Sequence, residues 1–482
     1  MTSEERNLIQ EPIFRYFHEL CQTPRPSFHE ERISAYLLKW AKDCGLDAEQ
    51  DSVNNIFIRK AATPGYENAP CIMLQAHMDM VCEKAPDVEH DFETDPIQWK
   101  IEGDRMTTGG RTTLGADDGI GVAFAMAVLA DDNLPHPELE VLFTTAEEED
   151  LSGAERFDAS KMKAARLINL DHACDREILC GSCGGQAVEL RVPVVSTTVP
   201  ERWTSAVLSV AGLQGGHSGE DIHRGHGNAN SLLARVLLAI EEKTAYKLGP
   251  VTGGSFRLAI PRDACAVICF PDDKKEVIKN VVQTEEKQMQ RELSSTGENL
   301  HITFKETEMP LWCVEPDLIL TTVLLAPDGI YQMNESLEGL VDTSDNMGEI
   351  YLTEKELRVI FEIRSARPSL GNYIYQRICR LAKITGGTCE TSKGYPSWDF
   401  RPQSSFREIA SQTYQKLFGS EPKYLTVHAG LEVGFLSEKK PDLDAIAIGP
   451  DCWNFHSPTE EMSISSARKV YQFLCGILKN CR

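Results

Sequence analysis

Apolar positions near the start of the chain recur at helical spacing. Ile13, Phe14, Phe17 and Leu20 form one such stripe; Ile33, Tyr36, Leu37 and Trp40 form a second, which Gly45 ends. The pattern then changes to short continuous apolar runs at 71–75, 140–144, 166–170 and 445–448. Runs of this length read as buried strands, and the apolar stretch 119–130 between two of them reads as a helix. Strands alternating with helices predict a mostly parallel sheet in an α/β domain. Between about Gln186 and Tyr395 the character shifts. Segments 206–210, 264–270, 301–304 and 357–363 read as strands, and 229–242 and 274–293 as helices. The expected organisation is an α/β domain split in sequence, 1–185 and 396–482, around an inserted α+β domain, 186–395. Two βαββαβ-like halves are expected in the insert, although no sequence repeat marks them.

Composition sharpens this picture. A chain of 482 residues is too long for one ordinary core, and 41% hydrophobic with 25% charged residues is ordinary for a globular protein. The net charge of −24 argues against nucleic acid and anionic membranes as partners. No apolar run is long enough for a transmembrane helix, and the polar stretch 1–10 lacks the core of a secretory leader. Fifteen scattered cysteines fit a reduced cytoplasmic protein better than a disulfide framework. Cys180 and Cys183 form an isolated CxxC, which reads as a turn because Gly181, Gly184 and Gly185 surround it.

The placement of acids and histidines carries the chemistry. His77 and Asp79 follow the run 71–75, Glu147 and Glu148 follow 140–144, and Asp171 follows 166–170. His456 lies beyond 445–448, and Asp117 and Asp118 sit in a glycine-rich turn before a helix. Singly, each has a plainer reading: a surface His-x-Asp pair, an acidic helix start, a helix cap. Together they deliver metal-ligand chemistry to the carboxyl ends of several strands, the edge where open α/β sheets bind ligands. Imidazole with carboxylate suits Zn²⁺, with Mn²⁺ or Co²⁺ as alternatives. Asp79, two residues after His77, is placed to orient that imidazole through its other ring nitrogen.

These residues resemble the co-catalytic zinc peptidase family that includes aminoacylases, carnosinases and bacterial dipeptidases. The resemblance spans nearly the whole chain. It rests on Thr23-Pro-Arg-Pro-Ser27, Gln75-Ala-His-Met-Asp79, Thr113-Leu-Gly-Ala-Asp-Asp-Gly-Ile-Gly121 and Ile168-Asn-Leu-Asp171. It continues through Gly215-Gly-His-Ser-Gly219, Gly227-Asn-Ala-Asn230, His428-Ala-Gly-Leu-Glu432, Gly449-Pro450 and His456-Ser-Pro458. It implies two metal ions bridged by Asp117, with His77 and Asp171 completing one site and Glu148 and His456 the other. It implies Glu147 as general base, Asp79 as the residue orienting His77, and a cis peptide between Asp117 and Asp118. Relatives follow the glutamate pair with Ala-Gly or Thr-Gly, whereas Glu149 and Asp150 stand here; the spacing from Asp117 keeps Glu147 as base.

The resemblance also implies a dipeptidase, with dipeptides ending in histidine such as β-alanyl-histidine among its substrates. The insert is then a lid or dimerisation domain, and a homodimer is allowed. His217 becomes the oxyanion donor, reaching the site when domains close, in its own chain or a partner. Arg364 suits the substrate carboxylate because its fork binds it bidentately. Asn230 is a weaker candidate for that role, and Glu432 one for the substrate amine. Two rival functions stay open: an N-acyl amino acid amidohydrolase with the same metal centre, and a non-catalytic metal-binding protein of this fold.

Overall fold

The computed structural model describes residues 1–297, 299–335 and 339–482. The chain divides into two compact units. Unit 1 comprises Met1–Gly181, Trp398–Thr426 and Leu431–Arg482; unit 2 comprises Ser182–Ser397 and Val427–Gly430. Each has its own apolar core.

An eight-stranded sheet organises unit 1. Its order is Asp47–Gln50, Ile56–Lys60, Leu139–Thr144, Ile72–His77, Arg166–Asn169, Asp444–Ala447, Glu177–Ser182 and Lys423–Val427. The four central strands, Leu139–Thr144 to Asp444–Ala447, run parallel. Every residue of Ile72–His77 and Leu139–Thr144 is buried, as a parallel sheet covered on both faces requires. The registers His77 with Thr144, Gln75 with Asn169 and Asn169 with Ala447 set the four carboxyl ends side by side. The chain leaves Ile72–His77 for Leu139–Thr144 on one side and then returns to Arg166–Asn169 on the other. Such a reversal opens a crevice at the carboxyl edge. The helix Ala116–Ala130 buries thirteen of its fifteen residues and packs against strand Ile72–His77 and helix Pro12–Cys21. It is apolar all round, so it can only be a central helix. Its regular part starts after Asp117 and Asp118, whose backbone is non-helical and whose connecting peptide is cis, as the resemblance implied.

Unit 2 is built on a nine-stranded antiparallel sheet containing two βαββαβ halves. One half runs Trp203–Ala211, helix Ala229–Glu241, Lys247–Gly253, Ala264–Pro271, helix Lys275–Glu292 and His301–Glu306. The other runs Gly184–Pro193, helix Pro316–Leu325, Val341–Leu352, Glu356–Ser365, helix Pro368–Thr385 and Thr388–Thr391. In each half the strands lie in the order fourth, first, third, second, and the two second strands pair to make one sheet. The first half is nested between the first strand and first helix of the second half. No tandem repeat is therefore visible along the sequence.

The reading of Cys180 and Cys183 as a turn is corrected. Cys180 lies in strand Glu177–Ser182, and Cys183 stands between that strand and Gly184–Pro193. Both are buried free thiols, pushed up to about 12 by burial. The adjacent glycines serve close packing: a Cβ on Gly185 would fall 2.2 Å from the Tyr395 ring. No described helix is long and apolar enough to cross a membrane.

Candidate metal centre

Seven of the residues singled out in the sequence meet at the carboxyl edge of the unit 1 sheet. His77 ends its strand and is fully buried. Its Nε2 lies 3.0 Å from Asp117 Oδ1 and 4.0 Å from Asp171 Oδ1. Its Nδ1 lies 3.3 Å from Asp79 Oδ1. The other oxygen of Asp117 faces a different histidine, with Oδ2 3.6 Å from His456 Nε2. His456 Nε2 also lies 2.9 Å from Glu148 Oε2. Asp117 thus stands between two imidazoles and offers one oxygen to each.

Backbone groups hold these side chains. Asp79 accepts from the amides of Glu147 (3.2 Å) and Glu148 (3.3 Å) and from Ser27 Oγ (2.8 Å). Asp118, though adjacent to Asp117, turns inward and accepts from the amides of His77 and Gly121. The Asp171 amide donates to Asn169 Oδ1, at the end of the strand that leads into Asp171.

Potential ligand atoms fall into three groups, each within 4.8 Å: His77, Asp117 and Asp171; Asp117, Glu148 and His456; His77, Glu147 and Glu148. The electrostatics calls for cations. Burial, reinforced by neighbouring carboxylates, pushes Glu147 and Asp171 well above the usual carboxylate range. Burial acts in the same direction on Asp117, but His456 and His77 outweigh it and hold that carboxyl well below the range. Glu148 Oε1 is buried and accepts no hydrogen bond. A buried unpaired carboxylate oxygen is costly unless a cation or donor meets it. Two imidazole nitrogens, carboxylates that repel one another and an orphaned oxygen fit divalent cations of the zinc type.

Glu432 lies in unit 1, fully buried, and accepts from Gln75 Nε2 (2.6 Å) and Thr144 Oγ1 (2.7 Å). Burial pushes its carboxyl up to about 7. The remaining candidates lie in unit 2. Arg364 Nη1 donates to Tyr395 Oη (2.7 Å) and Nε to Ser218 Oγ (3.3 Å); Nη2 sits 3.3 Å from His217 Nε2. Burial and then Arg364 lower the His217 pKa. Asn230 is buried and donates to the Met347 carbonyl, with no hydrogen bond to the Arg364 cluster.

Sequence reasoning missed several supports. Arg25, within Thr23-Pro-Arg-Pro-Ser27, donates to the carbonyls of Met78, Asp79 and Gly115. Glu460, four residues beyond His456, accepts from the turn that carries Asp117. In unit 2, His428 Nε2 lies 2.7 Å from Ser344 Oγ, and burial with Arg364 pushes its pKa down to about 3. The one available signal was membership of the quoted motifs, since Arg25 and His428 both lie inside them.

A parallel-sheet domain with histidines and carboxylates gathered at the strand ends, and a separate antiparallel unit bearing an arginine cluster, defines a two-unit metallopeptidase architecture. The chain belongs to peptidase family M20/M25/M40, which it matches over residues 73–480. It is 37% identical over 480 residues to the cytosol non-specific dipeptidase of Escherichia coli strain K12, covering 99% of each chain. Its structure is similar to that of aminoacylhistidine dipeptidase from Vibrio alginolyticus, with a TM-score of 0.93, 33% identity, and coverage of 98% of this chain and 96% of that one. An aminopeptidase of Bacillus cereus, PepT, shares the fold at a TM-score of 0.57 and 16% identity, covering 98% of each chain.

Proposed function

We propose that this protein is a cytoplasmic dipeptidase dependent on two divalent cations, most simply Zn²⁺, with dipeptides ending in histidine among its substrates. The observation that carries the reading is Asp117, whose two oxygens face His77 and His456 separately. Asp117, His77 and Asp171 would hold one cation; Asp117, Glu148 and His456 would hold the other. Bound there, the pair supplies charge that makes water more acidic and steadies a developing oxyanion.

The chain's own residues do the rest. Glu147, anchored through its amide to Asp79 and free of the two ligand sets, takes the proton of the attacking water and returns one to the leaving amine. Asp79 fixes the orientation of His77. Arg364 is assigned the substrate carboxylate and His217 the oxyanion. They sit side by side in unit 2.

Metal-free protein given Zn²⁺, Mn²⁺ or Co²⁺ in turn and offered a dipeptide panel, β-alanyl-histidine included, tests the reading. Cleavage of free dipeptides with two bound ions supports it. Hydrolysis confined to N-acyl amino acids, or fewer than two ions at saturation with no peptidase activity, overturns it.

A further inference from the structure

We propose that Glu460 is a positioning residue that ties the His456 arm to the Asp117 turn and so sets the geometry of the cation site formed by Asp117, Glu148 and His456. The inference rests on the two-cation reading above.

Four consecutive peptide N–H groups converge on the Glu460 carboxylate. Leu114 (2.7 Å) and Gly115 (3.0 Å) donate to Oε2; Ala116 (2.8 Å) and Asp117 (3.4 Å) donate to Oε1. Successive N–H groups curled in this way make an anion-binding nest. The left-handed backbone of Gly115, at φ +68°, helps curl it. Glu460 is 2% exposed, so bulk solvent does not compete for these amides. The opposite side of the turn is held too, because Arg25 donates to the Gly115 carbonyl.

His456 needs such an anchor. Its side chain is 52% exposed, and its backbone is left-handed at φ +56°. Burial does not fix its place. A short link, Ser457 to Thr459, joins it to Glu460, and the Glu460 amide closes a turn on the Ser457 carbonyl (3.1 Å). The far end of that link grips the peptides immediately before Asp117. Two ligands of the same proposed site, Asp117 and His456, are therefore fixed relative to one another by a single carboxylate. The His77 and Asp171 ligands leave from strands of the central sheet and do not depend on it.

Only a carboxylate suits the nest. Glutamine has nearly the same shape, but its amide nitrogen would present hydrogens to two N–H donors. Glu460→Gln should therefore fold yet loosen the His456 site more than the other, which shares only Asp117 with it. The experiment is a titration of metal-free protein with Zn²⁺ against a chromophoric chelator, giving two dissociation constants. His456→Ala identifies the constant that belongs to the His456 site. In Glu460→Gln that constant should rise about 10–100-fold, the range for removing a group that orients ligands, and clearly more than the other, which shares Asp117 with it but keeps His77 and Asp171 on their strands. Glu460→Asp, which keeps the charge but retracts it by one methylene, should show the same selectivity and serves if the glutamine variant does not fold. Wild-type constants at both sites in either folded variant overturn the proposal, even with a lowered melting temperature, since that is a purely structural role. If wild-type protein binds no pair of cations, the functional reading fails instead.

Discussion

The two units build their chemistry in opposite ways. In unit 1 the central strands are buried and mostly apolar, and the reactive groups gather where the strands stop: His77 at the end of one, Glu147 and Asp171 just beyond two others. Backbone amides hold the carboxylates there, as with Asp79 and Glu460. In unit 2 the central functional group lies inside a strand, and His217 and His428 reach it from loops. Ser344 and Arg364 are cross-strand partners on one face, while Phe361 and Ile363 alternate onto the core face. A parallel sheet offers an edge and collects anionic ligands; an antiparallel sheet offers a face and here collects Arg364, His217 and His428. Removing Glu147 should therefore disturb the chemistry, and removing Arg364 the recognition of substrate.

The largest expected effect tests the first half of that contrast. Glu147→Gln should lower kcat by about 10²–10⁴, the span of general-base contributions, with both metal dissociation constants kept. Steady-state kinetics beside the chelator titration checks it. A variant that loses metal and activity together would show that Glu147 is a ligand rather than the base. Next in size, Arg364→Ala should raise KM for dipeptides by about 10–150-fold, from loss of about 1.5–3 kcal/mol of charged hydrogen bonding. Amidated dipeptides, which lack the carboxylate, should not discriminate wild type from variant. Equal losses on both substrates would remove Arg364 from carboxylate recognition.

The same contrast explains what the sequence made legible. The unit 1 site was readable because apolar strand runs are easy to see and His, Asp and Glu just beyond them are chemically distinctive. Unit 2 hid its framework. The strand Val341–Leu352 begins Val-Asp-Thr-Ser-Asp-Asn, which reads as a polar loop, yet Asp342 to Asn346 are all buried in mid-sheet. Ser344 and Asn346 find partners only in the folded unit, in His428 and in the carbonyls of Arg257 and Ala259. Arg364 was found because it ends an apolar strand; His428 was passed over because nothing local separates it from a surface histidine. Arg25 and Glu460 were invisible for another reason. They act on backbone carbonyls and amides, which every residue carries.

A pH experiment addresses recognition and stability together in unit 2. Burial and Arg364 push His428 down to about 3, whereas an unfolded histidine titrates near 6.5. The unfolded chain then binds more protons than the native one below pH 6.5. The contribution of neutral His428 is complete above 6.5 and is lost as pH falls toward 3, at about 1.4 kcal/mol per pH unit. Between pH 7 and 5 the wild type should lose about 2 kcal/mol more unfolding free energy than His428→Gln, measured by urea denaturation. Parallel losses would show that His428 is protonated in the native protein.

The smallest effect is the sharpest probe of the unit 2 face. Of the contacts of Arg364 with Tyr395, Ser218 and His217, that with Tyr395 Oη, at 2.7 Å, is the shortest. Gly185, whose missing side chain makes room for the tyrosine ring, and Gly430, which packs against it, show that this position is built for a large ring. Tyr395→Phe keeps the ring and removes one neutral acceptor from a charged donor. About 1 kcal/mol follows, which is roughly a fivefold rise in KM for free dipeptides with kcat unchanged. The change should vanish in the Arg364→Ala background, because the hydroxyl would act only through the guanidinium. Persistence of the fivefold effect without Arg364 would mean that Tyr395 touches substrate itself, and the face would then recognise its ligand by a hydroxyl as well as by charge.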